Sequence, residues 1–247
     1  MRVAIVTGGG KGIGRAVVAR LAGDGLVVFA TGRDETALEE AAAEIDGEVH
    51  SLRCDVTRED EVVDLFEQVG SVDVLINNAG VSSSAPLART TLADWREQIG
   101  VNATGAFLCT RAALPGMLER GTGRIVTVAS TAARVGSRYT AAYTASKHAA
   151  LGLMRAAAAE VAGTGVTANA VCPAFVRTAM SERSVERIVA ATGRTEEESV
   201  RELERNSPLG RLLEPEEVAA AIAFLASEGA GAINGEALVM DGGGIQA

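Results

Sequence analysis

Residues 1–16 read MRVAIVTGGGKGIGRA. An apolar run, Val3–Val6, enters a cluster of glycines, and a helix-like stretch, Arg15–Ala22, follows. The glycines fit a TGxxxGxG pattern at Gly8, Gly12 and Gly14. They do not fit GxGxxG, because a count from Gly8 and Gly10 puts the third glycine on Ile13. A glycine turn between a strand and a helix lets backbone N–H groups approach a phosphate. The helix N-terminus adds roughly half a positive charge. The competing reading is a plain structural turn. If the loop binds phosphate, Gly8, Lys11, Gly12, Ile13 and Gly14 form its floor.

Outward from the loop, the same alternation repeats. Short runs rich in Val, Ile, Leu and Ala occur at Leu26–Ala30, Val49–Cys54, Val74–Ile76, Ile125–Ala129, Val166–Val171 and Ala237–Met240. Several are nearly continuous, as strands covered on both faces must be. Helical patterns lie between them at Thr36–Ile45, Glu59–Gln68 and Pro215–Ser227. The succession βαβα predicts an α/β fold of Rossmann type, with helices on both faces of a parallel sheet. No linker, low-complexity tract or repeat divides the chain, so residues 1–247 are expected to form one domain.

Residues 177–206 break the rhythm. They carry many charges and no strand, and Thr195 with Glu198 reads as a capping box that starts a helix. A solvated helix pair is one reading. A lid over a substrate pocket is the other, favoured by its place after the C-terminal end of a strand.

Bulk composition removes several functions. The 247 residues carry a formal charge of −9, with 47% apolar and 22% charged residues. An acidic surface repels phosphate backbones and anionic lipids, so neither nucleic acid nor membrane is an expected partner. No apolar run approaches the ~18 residues of a membrane span, and the start is unlike a signal peptide. Cys54, Cys109 and Cys172 are far apart and include no CxxC pair. Free buried thiols in a reducing cytoplasm are therefore expected, with no metal site.

The coenzyme is read at the end of the second strand, FATGRDE. An acid there would hold a ribose 2′-hydroxyl, and a cation would hold a 2′-phosphate. Gly32 stands where the acid is expected, Arg33 follows, and Lys11 is a second nearby cation. This favours NADP(H). Asp34 is the rival for NAD, and capping the next helix is its preferred role.

The only two tyrosines lie in YTAAYTASKH, residues 139–148. Tyr143 and Lys147 are i and i+4, so on a helix they share a face. A fixed ammonium nearby would lower the phenol pKa from about 10. Such a phenol can give a proton to a carbonyl oxygen, or take it back. Ser130 ends the run GRIVTVAS and is a candidate second donor. Tyr139 is expected before the helix, at the pocket mouth. Taken alone, a YxxxK pair is usually a packed tyrosine beside a solvated lysine.

Together the motifs resemble the short-chain dehydrogenase/reductase family. TGGGKGIG at 7–14, NNAG at 77–80, Asn102, Ser130, YTASK at 143–147, PAFVRT at 173–178 and GEALVMDGGG at 235–244 occur in that family's order. The resemblance covers nearly the whole chain. It implies a doubly wound sheet of seven strands and a homo-oligomer, tetramer or dimer. It implies Tyr143 as general acid/base, Ser130 polarising the carbonyl, and Lys147 lowering the Tyr143 pKa and holding the nicotinamide ribose. Asn102 would hold a relay water. Asp55 and Val56 would meet the adenine, and Asn78, Ala79 and Gly80 would line the cleft. Val176 and Thr178 would meet the nicotinamide amide or the pyrophosphate. The chain departs at Pro173–Ala174, where the family usually has Pro-Gly, and this puts the loop's shape in question.

The expected function is NADP(H)-dependent reduction of a ketone, and GMLERGTGRIV and NAVCPAFVRT resemble 3-oxoacyl-thioester and polyketide ketoreductases. Two alternatives stand beside it. One is a dehydrogenase of a small secondary alcohol, sugar or steroid, possibly with NAD. The other is a non-catalytic dinucleotide sensor.

Overall fold

The computed structural model describes residues 1–205 and 207–245. Seven strands form one parallel sheet: β1 (Val3–Thr7), β2 (Val27–Gly32), β3 (Val49–Arg53), β4 (Val74–Asn77), β5 (Gly123–Val128), β6 (Val166–Pro173) and β7 (Ala237–Met240). Their order is β3-β2-β1-β4-β5-β6-β7, and every neighbouring pair is parallel. Helices α1 (Gly12–Gly23), α2 (Glu35–Glu44), α3 (Glu59–Val69), α4 (Leu92–Ile99), α5 (Gly105–Arg120) and α6 (Ala141–Glu160) alternate with the strands. Then α7 (Ala179–Thr192), α8 (Glu196–Arg205) and α9 (Pro215–Ala226) separate β6 from β7.

The expected strands are all present. Every residue of β4, β5 and β6 is buried, which is why those runs show no polar alternation. Side chains still alternate between faces. Ile5, Leu75 and Ile125 enter one core with Leu108, Met117, Leu151 and Met154. Ala4, Val6, Ile76 and Val126 enter the other with Val17, Leu21, Val218 and Ile222.

Helix starts follow local chemistry. The Asp34 carboxylate accepts from the Ala37 N–H at 3.2 Å and caps α2, the role preferred for it from sequence. Thr195 and Glu198 form the expected reciprocal box: Thr195 N–H donates to Glu198 at 2.9 Å, and Glu198 N–H donates to Thr195 Oγ1 at 3.2 Å. Pro215 opens α9, where its missing N–H costs nothing.

After β1 the chain winds toward β2 and β3, and at β4 it returns to the other side of β1. Order reverses between β1 and β4, and a crevice opens at their C-terminal ends. Both the glycine loop and the NNAG segment lie there.

Candidate functional site

The three loop glycines answer three separate steric demands. Gly8 and Gly12 have φ of +67° and +51°, the left-handed region that side chains disfavour. A Cβ on Gly14 would collide with the Gly8 carbonyl oxygen and stand 2.6 Å from Asn78 Nδ2. Opposite the loop, Asn78 closes the crevice. Its Nδ2 donates to the Thr7 and Gly8 carbonyls at 2.8 and 3.2 Å. The Thr7 hydroxyl accepts from the N–H groups of Asn78 and Ala79, both at 3.0 Å. Thr178 covers the loop from the far side, where a Cβ on Gly12 would stand 3.1 Å from its Cγ2. A glycine floor, a helix N-terminus and a roof make a cradle that fits a dinucleotide pyrophosphate.

At the far end of β2, both expected cations are exposed. Lys11 Nζ donates to Asp34 at 2.6 Å, and that bond holds the Asp34 carboxyl below its usual range. Arg33 stands 4.0 Å from Asp55. Asp55 turns back on itself and accepts from Thr57 N–H and Oγ1 at 3.0 and 2.8 Å. The Val56 side chain is buried against Gly105, so only its backbone is left for an adenine.

The expected catalytic set comes together at the crevice. Ser130 follows β5; its hydroxyl accepts from the Ala132 N–H at 3.1 Å and lies close enough to the Tyr143 phenol to favour its phenolate. Tyr143 and Lys147 lie one turn apart on α6, with Lys147 Nζ 5.8 Å from the centre of the tyrosine ring. Lys147 is 5% exposed and donates to the Val128 carbonyl at 2.8 Å. Burial pulls its pKa from 10.5 down to about 8.

One expectation is corrected and two are sharpened. First, the Tyr143 pKa is raised in the free protein. Burial disfavours the phenolate, and the nearby Ser130 hydroxyl offsets this only in part. The ammonium expected to lower it faces the Val128 carbonyl. Second, the Asn102 side chain is occupied. Its Oδ1 accepts from Val81 N–H at 2.8 Å, and its Nδ2 donates to the Val81 carbonyl and Ser146 Oγ at 3.0 and 2.8 Å. Asn102 sits in a π-helical turn, Gly100–Thr104, and clamps the segment after β4 to α6. A relay water would have to use its backbone. Third, Ala174 is not at positive φ. Its N–H donates to the Met240 carbonyl at 2.9 Å and continues the β6–β7 pairing, so glycine is not required.

Val176 is buried and pairs with Leu213, while Thr178 caps α7. Tyr139 precedes α6, is 53% exposed, and has φ of +69°. Its carbonyl accepts from Ala85 N–H at 2.8 Å, which holds it at the pocket rim. His148 is exposed and engages the Thr144 carbonyl of its own helix. Thr7 and Ser146 were missed from sequence. Each adjoins a recognised motif, yet hydroxyls are too common to signal a role by type.

All three cysteines are free and buried. Among the described residues no His, Cys, Asp and Glu cluster could hold a metal, and no helix is long and apolar enough to cross a membrane.

Comparison with known proteins places this geometry among reductases. Residues 8–244 match the family described as enoyl-(acyl carrier protein) reductase. A putative ketoacyl reductase of Streptomyces coelicolor is 40% identical over 250 residues, covering 98% of this chain and 96% of that protein. A 3-oxoacyl-[acyl-carrier-protein] reductase of Synechocystis sp. is 38% identical over 251 residues, covering 98% and 96%. The solved structure of a variant actinorhodin polyketide ketoreductase with NADPH superposes with a TM-score of 0.94 at 39% identity, covering 98% of this chain and 96% of that one.

Proposed function

The chain belongs to the short-chain dehydrogenase/reductase family of oxidoreductases, and from that premise we propose that it reduces the ketone of a 3-oxoacyl thioester to a secondary alcohol with NADPH. The observation that carries this reading is the neighbouring pair of hydroxyls, Ser130 and Tyr143, beside the buried Lys147 and near the glycine cradle. Two hydroxyls directed at one spot suit a single carbonyl oxygen.

When bound, NADPH supplies the hydride. The residues do the rest. Ser130 donates to the carbonyl oxygen and fixes its position. Tyr143 also donates to it, and passes its proton over as negative charge develops there. A phenol raised by burial stays protonated at neutral pH, which suits proton donation and hence reduction. Lys147, mostly charged below pH about 8 and held by the Val128 carbonyl one turn from Tyr143, would hold the nicotinamide ribose. Asn102 keeps the pocket wall and α6 in register.

For the coenzyme, Arg33 is the exposed cation more readily turned to a 2′-phosphate, because its approach to Asp55 is long at 4.0 Å while Lys11 donates to Asp34 at 2.6 Å. The relative solved with NADPH supports the same choice. The α7–α8 pair is read as the substrate lid, residues 1–247 as one domain, and the buried free thiols as suited to the cytoplasm. Exposed Trp95, Phe107 and Leu118 on α4 and α5 support a homo-oligomer, a tetramer or dimer.

A steady-state panel tests the reading. Acetoacetyl thioester, a cyclic ketone, a steroid ketone and an enoyl thioester are offered with NADPH and with NADH. The thioester ketone with NADPH should lead. Tyr143→Phe should lower kcat by roughly 10²–10⁴-fold while NADPH binding, followed by its fluorescence, persists. Unchanged turnover in that variant would refute the assignment.

A further inference from the structure

One guanidinium bonded to the loop after β4 has no role in the chemistry above. It belongs to Arg187 on α7, opposite the segment that follows β4. That segment is pinned to the body at alternate residues. Val81 is held by Asn102, Ser83 by Gln98, and Ala85 by the Tyr139 carbonyl. Ser82, between them, is reached from α7 instead. Arg187 Nη1 donates to the Ser82 carbonyl at 3.4 Å, and Nη2 donates to Ser184 Oγ at 2.9 Å.

Arg187 is poorly satisfied where it stands. Its Nε is buried and has no partner among the described residues. A guanidinium carries five N–H donors, and here they find one hydroxyl and one carbonyl at the outer limit of hydrogen-bond length. Nearby arginines differ: Arg177, Arg194, Arg201, Arg205 and Arg211 each face a glutamate. Arg187 makes no such pair among the described residues, although the chain has a net charge of −9. Arg183 has no carboxylate partner either, but it is exposed, where water satisfies it.

Its position says what it could bind. Ser82 is two residues past Gly80, at most about 7 Å of chain. A Cβ on Gly80 would stand 3.3 Å from Asn102 Oδ1 and 3.5 Å from Lys147 Nζ. The guanidinium is therefore anchored on the same short loop that carries Gly80 past Asn102 and Lys147. We propose that Arg187 is a substrate-binding, specificity-determining residue that donates to the thioester oxygen of a 3-oxoacyl substrate while its ketone oxygen faces Ser130 and Tyr143. This rests on the reductase reading. Binding exchanges the long bond to Ser82 for a better one to substrate, and it ties α7 to the occupied pocket.

The test compares acetoacetyl-CoA, free acetoacetate and cyclohexanone, with NADPH, in the wild type, Arg187→Met and Arg187→Lys. In Arg187→Met the ratio of kcat/KM for the thioester to that for cyclohexanone should fall about tenfold or more, the scale of one charged hydrogen bond. The loss should lie in KM rather than kcat, and Arg187→Lys should recover part of it. An unchanged ratio, or equal losses on all three substrates, overturns the proposal, because a merely structural latch acts on all alike. A loss confined to acetoacetate overturns the thioester assignment. NADPH fluorescence titration of each variant shows that the cradle is intact. A wild type that reduces none of the three fails the reductase reading itself, before any substitution is made.

Discussion

The glycine loop and the α7–α8 pair face each other across one cleft and are held in opposite ways. The loop is fixed by backbone: two left-handed glycines and one contact that excludes even a methyl group. The α7–α8 side is fixed by side chains: a capping box at Thr178, a bond from Arg187 to Ser82, and a pair between Arg177 and Glu214. Backbone constraints leave one geometry. Side-chain constraints can be exchanged one at a time. On the proposed reading, the coenzyme side is thus built for one ligand and the substrate side for adjustment.

The sharpest break would come at Gly14. Gly14→Ala drives a Cβ into the Gly8 carbonyl and should cost at least about 3 kcal/mol of stability, because only backbone can yield. Thermal melts should show the loss, and fluorescence titration should show NADPH binding abolished. A variant that still binds NADPH would mean the cradle is not sterically fixed.

Next comes Lys147, which connects the two sides. Its folded pKa of about 8 lies below the usual 10.5. The unfolded chain therefore holds the extra proton between those values, and native stability rises with pH through that window. Below pH 8 the full penalty of burying the charge is present. Lys147→Met has no such penalty, so its stability relative to the wild type should fall by about 3 kcal/mol between pH 7.5 and 10.5. Denaturant melts at several pH values check this, and a flat difference would show that the lysine is not buried as a cation.

Arg33→Ala sharpens the comparison at the coenzyme. It should weaken NADPH by roughly tenfold or more, one charged hydrogen bond, and leave NADH nearly unchanged. Equal loss for both would place Arg33 outside the 2′-phosphate site. Tyr139→Phe should be the smallest. It removes only the bond from Arg138 at 3.2 Å, and turnover should stay within about twofold. A loss as deep as that of Tyr143→Phe would mean the two tyrosines share the proton.

The legibility of the sequence follows the same division. Strands β4, β5 and β6 could be read because burial on both faces forces apolar runs. The glycine loop could be read because glycine meets its φ values without strain and side chains rarely do. The i, i+4 spacing of Tyr143 and Lys147 gave their shared face. The direction of the Tyr143 pKa could not be read, since it depends on how much water burial removes and on where Lys147 Nζ points. Ala174 misled for a related reason: a motif names a residue, but only the backbone shows whether positive φ is required. Arg187 was hidden because its isolation is a property of its neighbours in space, and the sequence around it, SERSVERIVAA, is dense with charges that suggest pairing.

Val185, Leu203 and Leu212 pack together with Ile188, Val189 and Val200, apart from the two clusters that sandwich the sheet. That small third cluster gives α7 and α8 an apolar interior of their own. In evolutionary terms the segment is a cartridge. Changes on its outer faces could be made without renegotiating the packing that keeps the rest of the chain folded.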